Sequence, residues 1–249
     1  MTCRSKVFRL GLALALVATF MLALVPAESE AQTLKTNEAG DTYGSIVTQT
    51  EVPDLIAAVA TNGQNGFVKE ADFFGELPKN PEEAIQLQKE QKDRIIPVYK
   101  NDGITVIGEF VISAPDTNES GIQARSLYSA TSSKKFWTVG SRTYYGEATI
   151  NLSKAGTKYA SSSVSLGVES GTSVAADNLG IRPYVVNAAG TIVASKDTSF
   201  NSSDGCKKYT TSATYSTSSG TYRAYGHIFI WNGTSYKGDT TYNSPYLNF

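Results

Sequence analysis

The chain has 249 residues, a net charge of −1, one histidine and two cysteines. A single histidine excludes the helical zinc-peptidase motif, which needs two. The sequence contains no Walker motif, dinucleotide fingerprint or Arg-rich strip, so we expect neither phosphate-loop enzymology nor nucleic-acid binding. The spaced acidic pattern of a calcium loop is also missing. We therefore predict no cofactor and no metal site.

The first 31 residues have the pattern of a secretory signal peptide. Arg4, Lys6 and Arg9 precede an apolar run at residues 10–25, and small residues then suit cleavage after Ala31. An uncleaved anchor is the alternative, because the run is only slightly shorter than the ~17–25 residues of a membrane span. The rest of the chain has no second run of that length, which predicts a secreted protein without a transmembrane segment.

Only one cysteine, Cys206, follows the predicted signal. An extracellular chain that cannot form an internal disulfide is typical of bacterial secreted proteins rather than of small disulfide-stapled domains.

Residues 32–42 are polar and predict a flexible segment, and residues 43–113 predict a small α+β domain. Within that domain we expect strands at 55–61 and 66–69, and a hairpin around the turn at 101–103. One helix is clear, because Asn80 suits the cap position and Pro81 the first turn. Its apolar stripe is predicted to be Ala84, Leu87 and Gln91, with Ile85 nearby.

Residues 114–126 are rich in polar residues and turn formers and predict a linker. Residues 127–249 contain eight short alternating runs separated by turn residues, with no helical period. This spacing predicts an all-β antiparallel sandwich. The fold class we predict is therefore a small α+β N-terminal domain followed by an antiparallel β-sandwich domain.

Two stretches resemble known groups of proteins. "PDLIAAVATNGQNGFV", "PEEAIQLQKEQ" and "IPVYKNDGITVIGEFVI" resemble an extracellular segment of secreted or membrane-attached Firmicutes proteins, some of which carry a BlaR-type metallopeptidase. The tail "SSGTYRAYGHIFIWNGTSYKGDTTYNSPYLNF" is similar to the ends of small secreted Bacillus-type proteins without assigned activity. These resemblances imply export from a Gram-positive bacterium and no known mechanism. The peptidase association does not transfer, because the segment is joined here to a different C-terminal half.

Charge divides the chain near residue 120. Residues 32–124 carry 7 basic and 15 acidic side chains, whereas residues 125–249 carry 12 basic and 6 acidic ones. The basic half would attract a cell-wall glycan or an anionic envelope polymer. Alternatively, the acidic N-terminal domain binds this half within the same chain.

The stretch "YRAYGHIFIWNG" places four aromatic residues and the only histidine of the chain within twelve residues. Strand alternation places Arg223, Tyr225, His227, Phe229 and Trp231 on one face, and we predict that this face points to water and binds the ligand. The alternatives are that the rings pack against neighbouring strands or form the core themselves. The following Asn-Gly dipeptide predicts a tight hairpin, with the next strand starting at Thr234.

Carboxylates leave one enzymatic alternative. Glu147 and Glu169 are candidates for the two acids of a glycan hydrolase, with Asp177, Asp197, Asp204 and Asp239 as further candidates in the same C-terminal half. Cys206 and His227 could form a nucleophile and base, but no cysteine-peptidase signature surrounds Cys206.

Three hypotheses about function follow. The first is a secreted, non-enzymatic protein whose C-terminal sandwich binds an envelope glycan or another surface partner. The second is a glycan hydrolase with paired carboxylates, and the third is a secreted antagonistic or membrane-active factor.

Overall fold

The computed structural model describes residues 34–47, 51–115, 127–169 and 172–249. The predicted signal peptide and nearly all of the predicted linker lie outside these residues. The described residues belong to one compact unit, which is mostly β. None of the helices in the described part of the chain is long and apolar enough to cross a membrane.

The first part of the chain forms six strands and two helices. In order they are β1 (Lys35–Thr36), β2 (Thr42–Gly44), β3 (Leu55–Val59), β4 (Asn65–Lys69), α1 (Glu70–Phe74), α2 (Pro81–Glu90), β5 (Arg94–Tyr99) and β6 (Val106–Ser113).

The second part is built from strands only. They are β7 (Leu127–Thr131), β8 (Lys135–Val139), β9 (Arg142–Ser153), β10 (Tyr159–Val168), β11 (Leu179–Asn187), β12 (Ile192–Lys196), β13 (Ser199–Phe200), β14 (Lys208–Ser216), β15 (Thr221–Trp231), β16 (Tyr236–Thr240) and β17 (Leu247–Asn248).

These strands form two sheets. Sheet A has the order β1-β2-β3-β4-β5-β6-β12-β11-β15-β16, with β13 beside β11 and β17 beside β15. Sheet B has the order β14-β10-β9-β7, with β8 also paired to β9. Most pairs are antiparallel; the exceptions are β2–β3, β3–β12 and β6–β12. The prediction of a mainly antiparallel β fold is confirmed at this level.

Two hydrophobic clusters lie on the two sides of β11 and β15. Cluster 1 contains Ile181 and Ile228 from sheet A together with Ile150 and Leu166 from sheet B, so it fills the space between the sheets. Cluster 2 contains Tyr184 and Tyr225 from the other face of the same strands, together with side chains of β3, β5, β6 and α1. The first part of the chain therefore covers the outer face of β11 and β15.

Strands on both sides of the predicted linker share sheet A. β12 pairs in parallel with β6, where Ser195 lies opposite Ile112, and with β3, where Ile192 lies opposite Ala58. Residues 116–126 of the predicted linker lie outside the described residues. What the described residues establish is a continuous sheet and a shared core.

Several predicted elements of the first part are present. β3 and β4 match the two predicted strands, and β5 and β6 form the predicted hairpin. Part of the predicted flexible segment is instead paired, because Lys35 lies opposite Tyr43 between β1 and β2. α1 was not predicted, since its sequence continues directly from β4.

The predicted cap of α2 is confirmed, but its predicted apolar stripe is wrong. The Asn80 side chain accepts a hydrogen bond from the Glu83 N–H at 2.8 Å. Ala84 is buried, whereas Ile85 and Leu87 remain more than a third exposed.

α2 packs through amides instead. The Phe200 N–H donates to Gln88 Oε1 at 2.7 Å, and Gln91 Nε2 donates to the Thr198 carbonyl at 3.3 Å. The helix therefore docks on polar backbone rather than on an apolar surface.

All eight runs predicted in the second part form strands. The turn after β15 differs from the predicted one, because Trp231 lies opposite Tyr236 and the loop has four residues. Asn232 explains the longer loop: its side chain accepts hydrogen bonds from the N–H groups of Thr234 and Ser235, both at 2.9 Å. β16 therefore begins at Tyr236 rather than at Thr234.

Candidate functional site: a cleft between β8 and β16

The predicted binding face of β15 is mostly buried. Tyr225, His227 and Phe229 are 7%, 9% and 4% exposed, so the prediction that these rings point to water is wrong. The period-2 alternation itself is correct, because the opposite side chains Ala224, Ile228 and Ile230 face cluster 1. The error lies in what covers the aromatic side.

Residues of α1 cover this face. The Phe74 ring lies 5.0 Å from the His227 ring in an edge arrangement, and Phe73 lies 5.6 Å from Tyr184. Tyr184 is opposite Tyr225 in the β11–β15 pair, and their rings are 6.1 Å apart. The rings are therefore a core layer rather than an open platform.

The two remaining residues of the predicted face lie at opposite ends of the strand. Arg223 is half-buried, and its guanidinium lies 4.7 Å from the Tyr246 ring centre. Trp231 is half-buried beside Tyr236, with ring centres 5.2 Å apart. Separated by the buried residues between them, they do not form a common binding surface.

A charged cluster fastens α1 to this face. Asp197 accepts from Arg182 through Oδ1 and from Arg94 Nε through Oδ2, at 2.5 and 2.7 Å. The same arginines donate to the last carbonyls of α1: Arg94 to Asp72 and Phe73, and Arg182 to Phe73. We refer to Arg94, Arg182 and Asp197 as the arginine cluster.

The arginine cluster satisfies backbone groups that a helix end leaves without partners. The Arg182 side chain is 2% exposed. Burial lowers the pKa of Arg182 below its ordinary value, while Tyr184 and Asp197 oppose that shift. Since a buried cation is tolerated only when it is paired, Asp197 is the residue that makes this arrangement possible.

His227 is buried in this arrangement and does not face water. Its Nδ1 lies 3.0 Å from the Tyr184 hydroxyl. Burial, with the nearby Arg182 charge, lowers the pKa of His227 from 6.5 to about 3. Burial likewise raises the pKa of Tyr184. At neutral pH the imidazole is therefore uncharged and hydrogen-bonded within the core.

The predicted carboxylate pair is not brought together. Glu147 Oε1 binds Lys208 Nζ at 2.8 Å, whereas the Glu169 N–H donates to the Thr143 carbonyl. The register thus offsets the Cα positions of the two glutamates by four residues along the strands, about 13 Å at ~3.3 Å per residue. Paired glycosidase carboxyl groups lie about 5–10 Å apart, and here the Glu147 carboxylate is held by Lys208 of β14 instead.

The other acids have structural contacts. Asp197 belongs to the arginine cluster, and Asp239 binds Lys135. Asp177 is 2% exposed and accepts from Gln88 Nε2, and its pKa is raised by burial and by Asp204.

Cys206 packs against cluster 1, on the other side of sheet A from His227, so the two do not form a nucleophile and base. Within the described residues, no group of three or more metal-binding side chains is present.

An open cleft of about 470 Å³ lies where β8 faces the β15–β16 hairpin. Its size falls in the range of ligand sites, about 300–1,000 Å³. The strands β8, β15 and β16 and two turns contribute its walls: Trp137, Thr138, Val139, Gly140, Ile228, Ile230, Asn232, Lys237, Gly238 and Asp239.

Strand register explains why these side chains meet. Lys237 lies opposite Ile230 and Asp239 opposite Ile228, so the charged side chains of β16 share the face that leads into cluster 1. Across the gap, Trp137 and Val139 of β8 pack against the same cluster. The cleft is therefore the open end of the space between the two sheets.

The Trp137 indole is held in place by a glycine. A Cβ at Gly146 would lie only 2.7 Å from the Trp137 ring, so the ring rests directly on the backbone of β9. Lys135 Nζ lies 2.7 Å from Asp239 Oδ1 and 5.5 Å from the indole centre. This ion pair joins β8 to β16 beside the cleft.

The cleft combines an apolar floor with a polar rim. Ile228 and Ile230 form the floor and Trp137 a flat wall, while Asn232 and Lys237 lie on the exposed rim. Lys237 makes no ion pair with any described residue. Such a site suits a ligand with one apolar face and several polar groups, and its cation favours a negative charge.

Sequence reasoning missed this site. The alternation of Lys135, Trp137 and Val139 was available in "KFWTVG", but nothing in it indicates that these side chains face β16. Pairing between distant strands creates the cleft, and such pairing is not readable from a local pattern.

Comparisons with protein-family models, with curated proteins and with solved structures find no match for this chain. The resemblance to secreted Firmicutes proteins therefore stays a prediction.

Proposed function

We propose that this chain is a secreted, non-enzymatic protein that binds an envelope glycan in the cleft between β8 and β16. The observation that carries the proposal is the Trp137 wall facing the Ile228 and Ile230 floor, with Lys237 on the rim. We further propose that the two sheets around cluster 1 are the predicted antiparallel sandwich, and that residues 43–113 are the predicted α+β domain covering its outer face.

A sugar ring has the chemistry that such a cleft accepts. Its C–H face packs on an indole, and its hydroxyl groups need polar partners at the rim. Lys237 adds preference for a glycan that carries carboxylate or phosphate groups. This supports the anionic envelope polymers that the basic half of the sequence predicts.

Isothermal titration calorimetry tests the proposal. The purified chain is titrated with soluble cell-wall glycan fragments, neutral and anionic in separate arms, and the heat of binding gives the dissociation constant. We expect Trp137→Ala to weaken binding about tenfold or more, which corresponds to about 1.4 kcal/mol. Lys237→Ala should weaken binding of the anionic fragments alone, and more strongly at low salt.

Trp231→Phe is the matched control, because Trp231 packs on Tyr236 and does not line the cleft. It should leave the affinity unchanged. Binding that survives Trp137→Ala but is lost in Trp231→Phe would place the ligand elsewhere, and no binding of any fragment would overturn the proposal.

The two other hypotheses receive less support. A glycan hydrolase with Glu147 and Glu169 would need the two carboxyl groups closer together than the strand register brings them. A membrane-active factor would release dye from anionic liposomes, whereas a glycan-binding protein leaves them intact.

A further inference from the structure

Sheet B ends at β14, a nine-residue strand that pairs only with β10 among the described strands. The register runs from Ser216 opposite Tyr159 to Lys208 opposite Gly167. Among the described residues no strand pairs with the other side of β14, and such open sheet edges are templates for pairing with another strand.

The hydrogen bonds at both ends of β14 fix which backbone groups face outward. The Val168 N–H donates to the Lys207 carbonyl, and the Thr217 N–H donates to the Lys158 carbonyl. In an antiparallel pair alternate residues bond to the neighbour, so the odd-numbered residues of β14 face β10. The outward N–H and C=O groups therefore belong to Lys208, Thr210, Ser212, Thr214 and Ser216.

This edge has little of the usual protection. Apart from Lys208 at its first position, β14 contains no charged residue, no proline and no glycine. Natural edge strands are usually short, charged or bulged. β16, at the end of sheet A, follows that rule, since it has five residues including Lys237 and Asp239.

We propose that β14 pairs with β14 of a second copy of this chain, antiparallel and centred on Ser212. The sequence is complementary to itself in this register. Ser212 would lie opposite Ser212, Thr210 opposite Thr214, and Tyr209 opposite Tyr215. A two-fold dimer requires such a self-matching surface.

The outer face of sheet B indicates that the partner of β14 is a second copy of this chain rather than an unrelated strand. Hydroxyl groups there are joined in rows across the strands: Ser163 to Ser212 at 2.8 Å, Ser165 to Thr210 at 2.8 Å, and Thr214 to Ser161 at 3.4 Å. Each row ends at β14. A second β14 continues each row with another hydroxyl, and cross-strand Ser and Thr pairs of this kind are favourable.

The inner face matches as well. Tyr209 and Tyr215 both pack against cluster 1. In the dimer the Tyr209 ring of each copy would lie opposite the Tyr215 ring of the other copy, and this is an aromatic cross-strand pair. The dimer edge lies across sheet B from β8, so its formation is independent of glycan binding in the cleft.

Sedimentation velocity of the full chain tests the pairing. We expect a dimer that dissociates on dilution from about 100 µM to about 1 µM, the range of a weak specific complex. Ser212→Pro removes an outward N–H and leaves the β10 hydrogen bonds intact, as proline is tolerated on such an edge. It should raise the dimer dissociation constant at least tenfold, whereas Ser212→Ala, which keeps the N–H and removes only the hydroxyl, should raise it by at most about fivefold.

Cross-linking gives a second readout that does not depend on the proline variant. Two Ser212 Cα atoms in this register lie about 5.5 Å apart, within disulfide reach. In a background in which Cys3 and Cys206 are both replaced by serine, Ser212→Cys should form a covalent dimer on oxidation, and Ser163→Cys, one strand further in, should not. A chain that stays monomeric at all concentrations, or a Ser163→Cys variant that cross-links equally well, would overturn the proposal.

Discussion

The two faces of β11 and β15 are both buried, but by different means. The inner face carries Ile181, Ile228 and similar side chains and packs against sheet B mainly through apolar contacts. The outer face carries Arg182, Tyr184 and His227 and is covered by a helix end. The apolar side chains of the first face can be buried wherever their shapes fit those of sheet B. Each polar group of the second face also needs a hydrogen-bond or ion-pair partner to be buried.

The difference explains why an aromatic strand face was mistaken for a binding surface. Rings with polar tips suit a water-facing site and a hydrogen-bonded interior equally well. Here the interior is completed by Phe73 and Phe74, which lie more than 100 residues earlier in the chain. The burial of the inner face could be predicted without knowing such distant partners, because aliphatic side chains are expected to be buried whichever element covers them.

The largest expected effect comes from the outer face. Asp197→Ala should lower the free energy of unfolding by about 3–5 kcal/mol, because it leaves the buried Arg182 charge without its carboxylate. Urea denaturation followed by circular dichroism measures the change. Hydrogen exchange should also show faster opening of α1.

Glu147→Ala is the control for Asp197→Ala. Glu147 pairs with Lys208, whose side chain is 44% exposed, so its loss should cost less than about 1 kcal/mol. Equal losses in the two variants would mean that the arginine cluster does not hold the outer face.

The sequence predicts the local parts of this fold well. The Asn80 cap, the β5–β6 hairpin and the alternation of β15 depend on neighbours within a few residues, and all three are present. The parallel pairing of β12 with β3 and β6 depends on contacts more than 80 residues apart. Because no local pattern encodes such contacts, neither the cover over β15 nor the cleft at β8 could be predicted.

A smaller effect tests how tightly the inner face is packed. A Cβ at Gly226 would lie 2.7 and 2.9 Å from the methyl groups of Val164 and 3.1 Å from the Arg182 carbonyl. Gly226→Ala should therefore cost about 1–3 kcal/mol, the usual range for overpacking. The midpoint of thermal unfolding gives the measurement.

Gly238→Ala is the matched change on the neighbouring strand. Its Cβ would meet Phe229 at 3.4 Å, an ordinary contact, and we expect a change within about 0.5 kcal/mol. If Gly226→Ala were equally mild, the two sheets would have room to separate at this point, and the inner face would be less closely packed than the outer one.

The last effect is the part of the pH dependence of stability that His227 on the outer face produces. The pKa of His227 is lowered from 6.5 to about 3 in the folded chain, first by burial and then by Arg182; Lys135 acts in the same direction and Asp239 against it. Between those values the unfolded chain binds a proton that the folded chain does not, so stability is complete above pH 6.5 and falls as the pH decreases. One such proton changes the free energy of unfolding by at most about 1.4 kcal/mol per pH unit.

Urea titrations from pH 7 to pH 4 should show that the free energy of unfolding of His227→Gln depends less steeply on pH than that of the unchanged chain. Acidic groups such as Asp177 titrate in both proteins, so the difference between the slopes isolates His227. Equal slopes would mean that the imidazole takes up its proton in place, and the outer face would then contain water that the inner face excludes.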